Sequence, residues 1–411
     1  MLPESYFFAE DYLREFAWQD RRFMMKLFAP VILDATGFPL HPLIDTVNDR
    51  QALEAFKTLA SGTWEKHAAH LPEAAASWLA NRLNASACVI SYEMPGWLRA
   101  LLDEQHILWI DIRLSPLRFS LDLMLAVRCS NSHIMSRLSA GQISRATLHR
   151  EATKMAASAR RLMRIRNTCA EMYFENSLVF VGQTAEDASL LCNDGYRLTM
   201  SDFAPTLRTL ASSRKQILYH PHPYAGEHAK RECRVLADIL EQDAQLTRCE
   251  TSELLSLDAD ILLTGISSGL LQEAMLFGQT SQTLHRPVCP LEGENAYAQY
   301  YLNDLMTPAF WSGALLPGGV THLSTEGPPD ELRKLHALWF THDRYLQERG
   351  PSPLHHPHLA GRLALLEQRL DELETRKACR LCRAVSWCLQ SIKKLKRRAR
   401  TIITLRTIRK S

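Results

Sequence analysis

The chain has 411 residues, 46% hydrophobic and 23% charged, with a formal net charge of +3. That composition excludes collagenous, disulfide-dense and disordered classes, and the length predicts two domains plus extras rather than one core. No apolar run approaches the roughly 18 residues that a membrane-spanning helix needs. The start MLPESYFFAEDYLREF carries acids where a secretory leader carries cations, so a cytoplasmic location is expected.

In chain order, residues 29–33 read as a strand and 50–70 as helix. Residues 88–92 form a short apolar run that ends at Glu93 and is broken by Pro95-Gly96; 97–102 read as helix, 107–112 as a buried strand and 117–128 as helix again. A long helix over 147–173 leads into a second half with the same grammar. There, strand 177–181 precedes the loop Gly182-Gln183-Thr184, helix 201–211 precedes strand 216–219, and His220-Pro221-His222-Pro223 follows at once. After helix 225–242 comes strand 260–264, and Ser267-Ser268-Gly269 opens helix 269–277. Short apolar strands alternating with helices predict an α/β fold of two Rossmann-like, doubly wound domains facing a cleft. The expected divisions are 1–170, 171–350, and a C-terminal helix (359–376) with a basic tail over 351–411, entered through the proline-bounded stretch 351–357.

In open α/β sheets ligands bind outside the carboxyl ends of the strands. The polar residues placed there are Glu93, Asp111, Arg113, the 183–187 loop, His220, His222 and 264–268. The two imidazoles, two apart in an extended segment, point the same way, and the flanking prolines exclude a helix. Metal binding, phosphate contact and simple packing are all open to them, and no HxxH or HExxH supplies a third metal ligand. At Ser267-Ser268-Gly269 a strand turns into a helix, which suits either an anion or an ordinary serine cap. Asp187 has two readings, a reactive carboxylate or a turn cap. Asp258-Ala259-Asp260 lies at the wrong end of its strand for a metal at the cleft. The absence of a Walker sequence and of GxGxxG argues against an ATPase or a nicotinamide enzyme.

Four blocks carry a resemblance. Residues 182–189 (GQTAEDAS) look like the Gln-Thr-x-x-Asp-x-Ser loop of the retaining β-Kdo glycosyltransferases of bacterial capsule and O-antigen assembly. Residues 219–223 (YHPHP) are similar to that family's strand ending in Lys-x-His-Pro, with His220 where lysine is usual. Residues 264–274 (TGISSGLLQEA) are similar to its Thr-Ser-x-x-Gly-Phe-Glu-Ala helix start, and 91–93 (SYE) to its N-terminal strand ending in glutamate. The resemblance implies a GT-B-like fold, CMP-Kdo as donor, a saccharide or glycolipid acceptor, and no metal or other cofactor. It implies Asp187 as nucleophile, Glu93 as a second active-site carboxylate, and His220, His222, Ser267, Ser268, Gln183 and Glu273 as nucleotide-binding residues. Arg113 and Arg118 are candidates for the sugar carboxylate. Another CMP-activated acid sugar, such as sialic acid, and a non-catalytic capsule-assembly role are the alternatives.

Residues 376–411 hold 13 Lys and Arg and no Asp or Glu, leaving 35 basic against 45 acidic residues in 1–375. A helix mixing those cations with Ile402, Ile403, Leu405 and Ile408 would lie on an anionic membrane surface, here the inner membrane. Nucleic-acid binding is disfavoured by the acidic body. Ten irregularly spaced cysteines predict reduced, buried thiols, and Cys379 and Cys382 form a lone CxxC without a second metal-binding pair.

Overall fold

Burial on both faces defines the strands that centre this fold. In Ser177–Val181 every residue is buried, a pattern met by a parallel strand covered by helices on both sides. The computed structural model describes residues 3–14, 23–46, 48–120, 123–166, 173–223, 225–247 and 249–316. Within them lie strands β1 (Ser5–Ala9), β2 (Leu40–Pro42), β3 (Ala87–Tyr92), β4 (Leu108–Leu114), β5 (Met124–Cys129), β6 (Ser177–Val181), β7 (Gln216–His220), β8 (Ala244–Leu246), β9 (Ile261–Gly265), β10 (Thr280–Thr283) and β11 (Ala298–Tyr301). The helices are α1 (Phe23–Thr36), α2 (Arg50–Ala60), α3 (Glu73–Ala80), α4 (Gly96–Glu104), α5 (Ser132–Gly141), α6 (Arg145–Arg166), α7 (Ala204–Ala211), α8 (Glu227–Leu240), α9 (Thr251–Leu255), α10 (Leu270–Leu276), α11 (Leu302–Leu305) and α12 (Pro308–Leu315). The two sheets belong to one compact unit of the chain.

The first sheet has the order β2-β1-β3-β4-β5-β11, with β2, β1, β3 and β4 parallel and β5 and β11 antiparallel to their neighbours. Alternate residues feed opposite layers. Tyr6, Phe8, Cys88, Ile90, Ile110 and Ile112 pack with Phe28, Ile32 and Trp311, whereas Ala9, Val89 and Trp109 pack with Phe56, Leu79 and Trp97. The second sheet is wholly parallel, β8-β7-β6-β9-β10. Val179, Val181 and Leu263 face α6, α9 and α10, while Leu178, Phe180 and Tyr219 face α7 and α8. The α/β expectation therefore holds, with helices on both faces of each sheet.

Each sheet has one point where the strand order reverses. In the first it lies between β1 and β3, in the second between β6 and β9. Ligands of such sheets bind at these reversals, outside the carboxyl ends.

Three elements differ from expectation. Of the helix expected over 50–70, only Arg50–Ala60 forms one: Ser61, at a φ of 25°, ends it, and a separate 3-10 turn follows at Trp64–His67. Residues 29–33 belong to helix α1, because burial recurs every four residues at Met24, Phe28 and Ile32 while Pro30 faces solvent. The described residues of 117–128 are not helical. Leu117 and Phe119 enter the core beneath the second sheet, and Met124–Cys129 pairs between β4 and β11, so cross-strand packing overrides the helix preference of its Leu, Met and Ala. The six described cysteines are free, and all but Cys192 are buried. Among the described residues no helix is long and apolar enough to cross a membrane. The CxxC, the proline-bounded stretch, the 359–376 helix and the basic tail lie outside the described residues.

Candidate active site

Glu93 follows β3 at the first reversal. Its N–H donates to Ile112 O at 2.7 Å, but its φ of 55° places it in the left-handed region, where a side chain is strained. The side chain is open to water yet closely surrounded by protein. That enclosure pushes its carboxyl above the usual range, opposed by Arg113, Arg14 and Arg118 and reinforced by Asp111. Asp111, one strand away, is fully buried. Its carboxylate accepts from Met94 N (2.9 Å), Arg99 Nη2 (2.6 Å), Arg113 Nε (2.7 Å) and Tyr297 Oη (2.7 Å). Arg113 also donates to Met94 O at 2.6 Å, which anchors its guanidinium beside Glu93.

The second reversal gathers the other candidates. Gln183 and Asp187 follow β6, His222 follows β7, and Ser267 and Ser268 follow β9, all at the same edge of the sheet. Asp187 caps a 3-10 turn by accepting the Ser189 N–H at 2.9 Å, and its other oxygen accepts from Gln183 Nε2 at 2.9 Å. The Ser267 N–H donates to Gln183 Oε1 at 2.9 Å, so loops after β6 and β9 are joined directly. Half-buried His222 lies close enough to Asp187 for its charge to favour the imidazolium, but burial is the larger influence and lowers the pKa. Ser267 Oγ is buried with no hydrogen-bond partner among the described residues, a group of the kind a bound ligand satisfies.

Three expected nucleotide-binding residues have their polar groups engaged within the fold. His220 is 5% exposed, with Nδ1 at 2.8 Å from Thr247 Oγ1 and Nε2 at 3.3 Å from Thr251 Oγ1. Burial and neighbouring His222 push it down to about 4, so it stays neutral and ties β7 to the β8–α9 connection. The expected pair of parallel imidazoles is thus divided, one in the core and one at the sheet edge. Glu273, 2% exposed, accepts the Arg118 N–H and so clamps α10 to the loop after β4. Gly269 lies against the same loop, where an added Cβ would sit 3.0 Å from Pro116 Cβ. Gln183 is held as described above.

Burial pushes the Glu273 carboxyl up to about 8, against the pull of the Arg118 N–H and guanidinium. Between the unfolded value and about 8 the folded state therefore holds the proton more tightly, and stability falls as pH rises. Glu273→Gln removes that dependence. Urea denaturation at pH 5 and pH 8 is expected to show wild type losing on the order of a few kcal/mol relative to the variant; parallel pH dependence in the two proteins would contradict it.

Sequence reasoning missed Arg14 and His285. Arg14 follows β1, interacts electrostatically with Glu93, and donates through Nη2 to Glu186 O at 3.1 Å, next to Asp187. It thereby connects the two reversals. Trp64 lies 4.8 Å from its guanidinium and 5.8 Å from that of Arg197, which itself donates to Asp187 O at 3.2 Å. His285 follows β10, with its N–H on Ile266 O at 3.0 Å, beside Ser267. The signal for both was the strand before them, but β1 (SYFFA) is only partly apolar in alternation and runs straight into the acidic stretch at Glu10-Asp11, and β10 (TSQT) is polar.

No family model matches the chain, and no curated protein matches it. Among solved structures it is similar to KpsC of Thermosulfurimonas dismutans, a β-Kdo 2,7 transferase, at 12% identity and a TM-score of 0.36, covering 74% of this chain and 90% of that one. It is also similar to the apo-structure of D-lactate dehydrogenase from Escherichia coli, at 13% identity and a TM-score of 0.18, covering 63% and 64%.

Proposed function

We propose that the protein transfers Kdo from CMP-Kdo to a saccharide or glycolipid acceptor with retention of configuration, in bacterial surface-polysaccharide assembly. The observation that carries this reading is the placement of Glu93 and Asp187, each after a strand at the order reversal of its own sheet, with Arg14 connecting their loops. The four blocks that resemble the β-Kdo transferases fall at the carboxyl ends of β3, β6, β7 and β9.

In the first step an Asp187 carboxylate oxygen attacks the anomeric carbon, and the bond from that carbon to the phosphate oxygen breaks with its electron pair leaving on CMP. In the second, an acceptor hydroxyl attacks the same carbon, the bond to Asp187 breaks and regenerates the carboxylate, and the hydroxyl proton passes to Glu93. A carboxyl raised above its usual range suits that base role near neutrality. His222, Ser267 and Ser268 would hold the CMP phosphate or ribose, and the cations around Glu93 would suit the sugar's carboxylate. In this reading 1–170 and 171–350 are the acceptor and nucleotide-sugar halves of a GT-B-like enzyme, and 376–411 hold it on the anionic inner membrane.

Purified protein offered a panel of CMP-sugars is expected to release CMP from CMP-Kdo. His222→Ala is expected to weaken calorimetric CMP binding about tenfold, the loss of one charge-assisted hydrogen bond. Release from a different CMP-activated acid sugar would move the assignment to that donor. No CMP binding at all would remove it.

A further inference from the structure

Gln183 occupies the reversal itself. Its Oε1 accepts the Ser267 N–H at 2.9 Å, and its Nε2 donates to Asp187 Oδ2 at 2.9 Å and to Ser189 Oγ at 2.7 Å. The orientation of this amide is dictated, because a backbone N–H only donates and a carboxylate only accepts. The oxygen must face Ser267 and the amino group must face Asp187. With the Ser189 N–H on the other oxygen at 2.9 Å, the carboxylate is held in one plane between two donors. The backbone leading into Gln183 is equally constrained. A Cβ on Gly182 would lie 2.1 Å from Tyr219 Oη, so only glycine passes there, and Tyr219 itself is buried and stacked on Phe180.

We propose that Gln183 is the positioning residue of Asp187 and not a nucleotide ligand: it links the aim of the carboxylate to the position of the Ser267 loop. The proposal rests on the reading of Asp187 as nucleophile. Ser267 carries both ends of the link, a backbone N–H engaged by Gln183 and a buried hydroxyl without a partner among the described residues. A donor group that engages the hydroxyl shifts the adjacent N–H, and through the amide shifts Asp187. Donor binding and the alignment of the attacking oxygen thus become one event.

Gln183→Ala and Gln183→Glu test this with CMP for binding and CMP-Kdo for turnover. Gln183→Ala is expected to lower kcat on the order of 100-fold, the effect of a misplaced reacting group, with KM and CMP affinity within about twofold of wild type. Gln183→Glu still accepts the Ser267 N–H but sets a second carboxyl against Asp187, so the acid limb of its pH–rate profile moves to higher pH. A tenfold loss of CMP affinity in Gln183→Ala would make Gln183 a nucleotide ligand and overturn the proposal, as would normal kcat in that variant. If Asp187→Asn is inactive while Gln183→Ala is normal, the Gln183 proposal alone falls. If Asp187→Asn turns over normally, the nucleophile reading falls and the proposal falls with it.

Discussion

Asp187→Asn is expected to abolish transfer, with a loss of several orders of magnitude in kcat, while leaving the fold and CMP binding intact. The variant is informative because Asp187 has a structural role that asparagine retains. Its Oδ1 caps the 3-10 turn at Ala188–Leu190 through the Ser189 N–H, and Asn and Asp are about equally good caps, but the asparagine NH2 then faces Gln183 Nε2, donor against donor, so unfolding free energy should fall by about 1 kcal/mol. What asparagine lacks is an anionic oxygen able to form a glycosyl ester. The described hydrogen bonds do not exhaust that capacity: each carboxylate oxygen has one described side-chain or backbone donor, and an ionised oxygen has room for a second contact. Intact-protein mass spectrometry of wild type with CMP-Kdo and no acceptor should give a Kdo-sized adduct on the peptide containing Asp187, absent from Asp187→Asn. Normal turnover by the variant, or an adduct mapping to Glu93, would reject the assigned roles.

The strands that place this site were legible because they are buried on both faces. Residues 88–92, 107–112, 177–181, 216–219 and 260–264 are short apolar runs, and each matches an observed strand to within two residues at either end. The edge and antiparallel strands were not. Leu40–Pro42, Ala244–Leu246 and Thr280–Thr283 are three or four residues long and partly exposed, and Met124–Cys129 takes its strand form from pairing on both sides, with β4 and with β11 far along the chain. The same limit applies to the site. Position after a strand was readable, but whether a polar side chain is engaged by the fold depends on distant partners. His220 meets Thr247 and Thr251, Glu273 meets the Arg118 N–H, and Gln183 meets Ser267. None of these pairings leaves a local trace in sequence. Arg14 and Glu186 are 172 positions apart, and only the juxtaposition of the two sheets brings them together.

Glu93 is expected to oppose stability to activity. Its left-handed φ of 55° costs a non-glycine residue about 1 kcal/mol or more, and its carboxyl, though open to water, is held above the usual range by the protein around it. Glu93→Gly removes both costs and should raise unfolding free energy by about 1 kcal/mol in urea denaturation. Glu93→Gln keeps the backbone strain but removes the charge, so it separates the two contributions by pH. The folded-state pKa is raised, so wild type pays an ionisation penalty that grows as pH rises above the ordinary carboxylate range. The stability difference should therefore move in favour of Glu93→Gln between pH 4.5 and pH 7.5, whereas the strain contribution is independent of pH. Both variants lose the group that takes the acceptor's proton, so transfer should fall on the order of 100- to 10,000-fold. The Asp187 adduct should still form in Glu93→Gln and persist, because the first displacement does not use Glu93. A Glu93→Gly protein less stable than wild type would refute the strain argument. Full transfer by Glu93→Gln, or failure of that variant to form the adduct at all, would remove Glu93 from the second displacement.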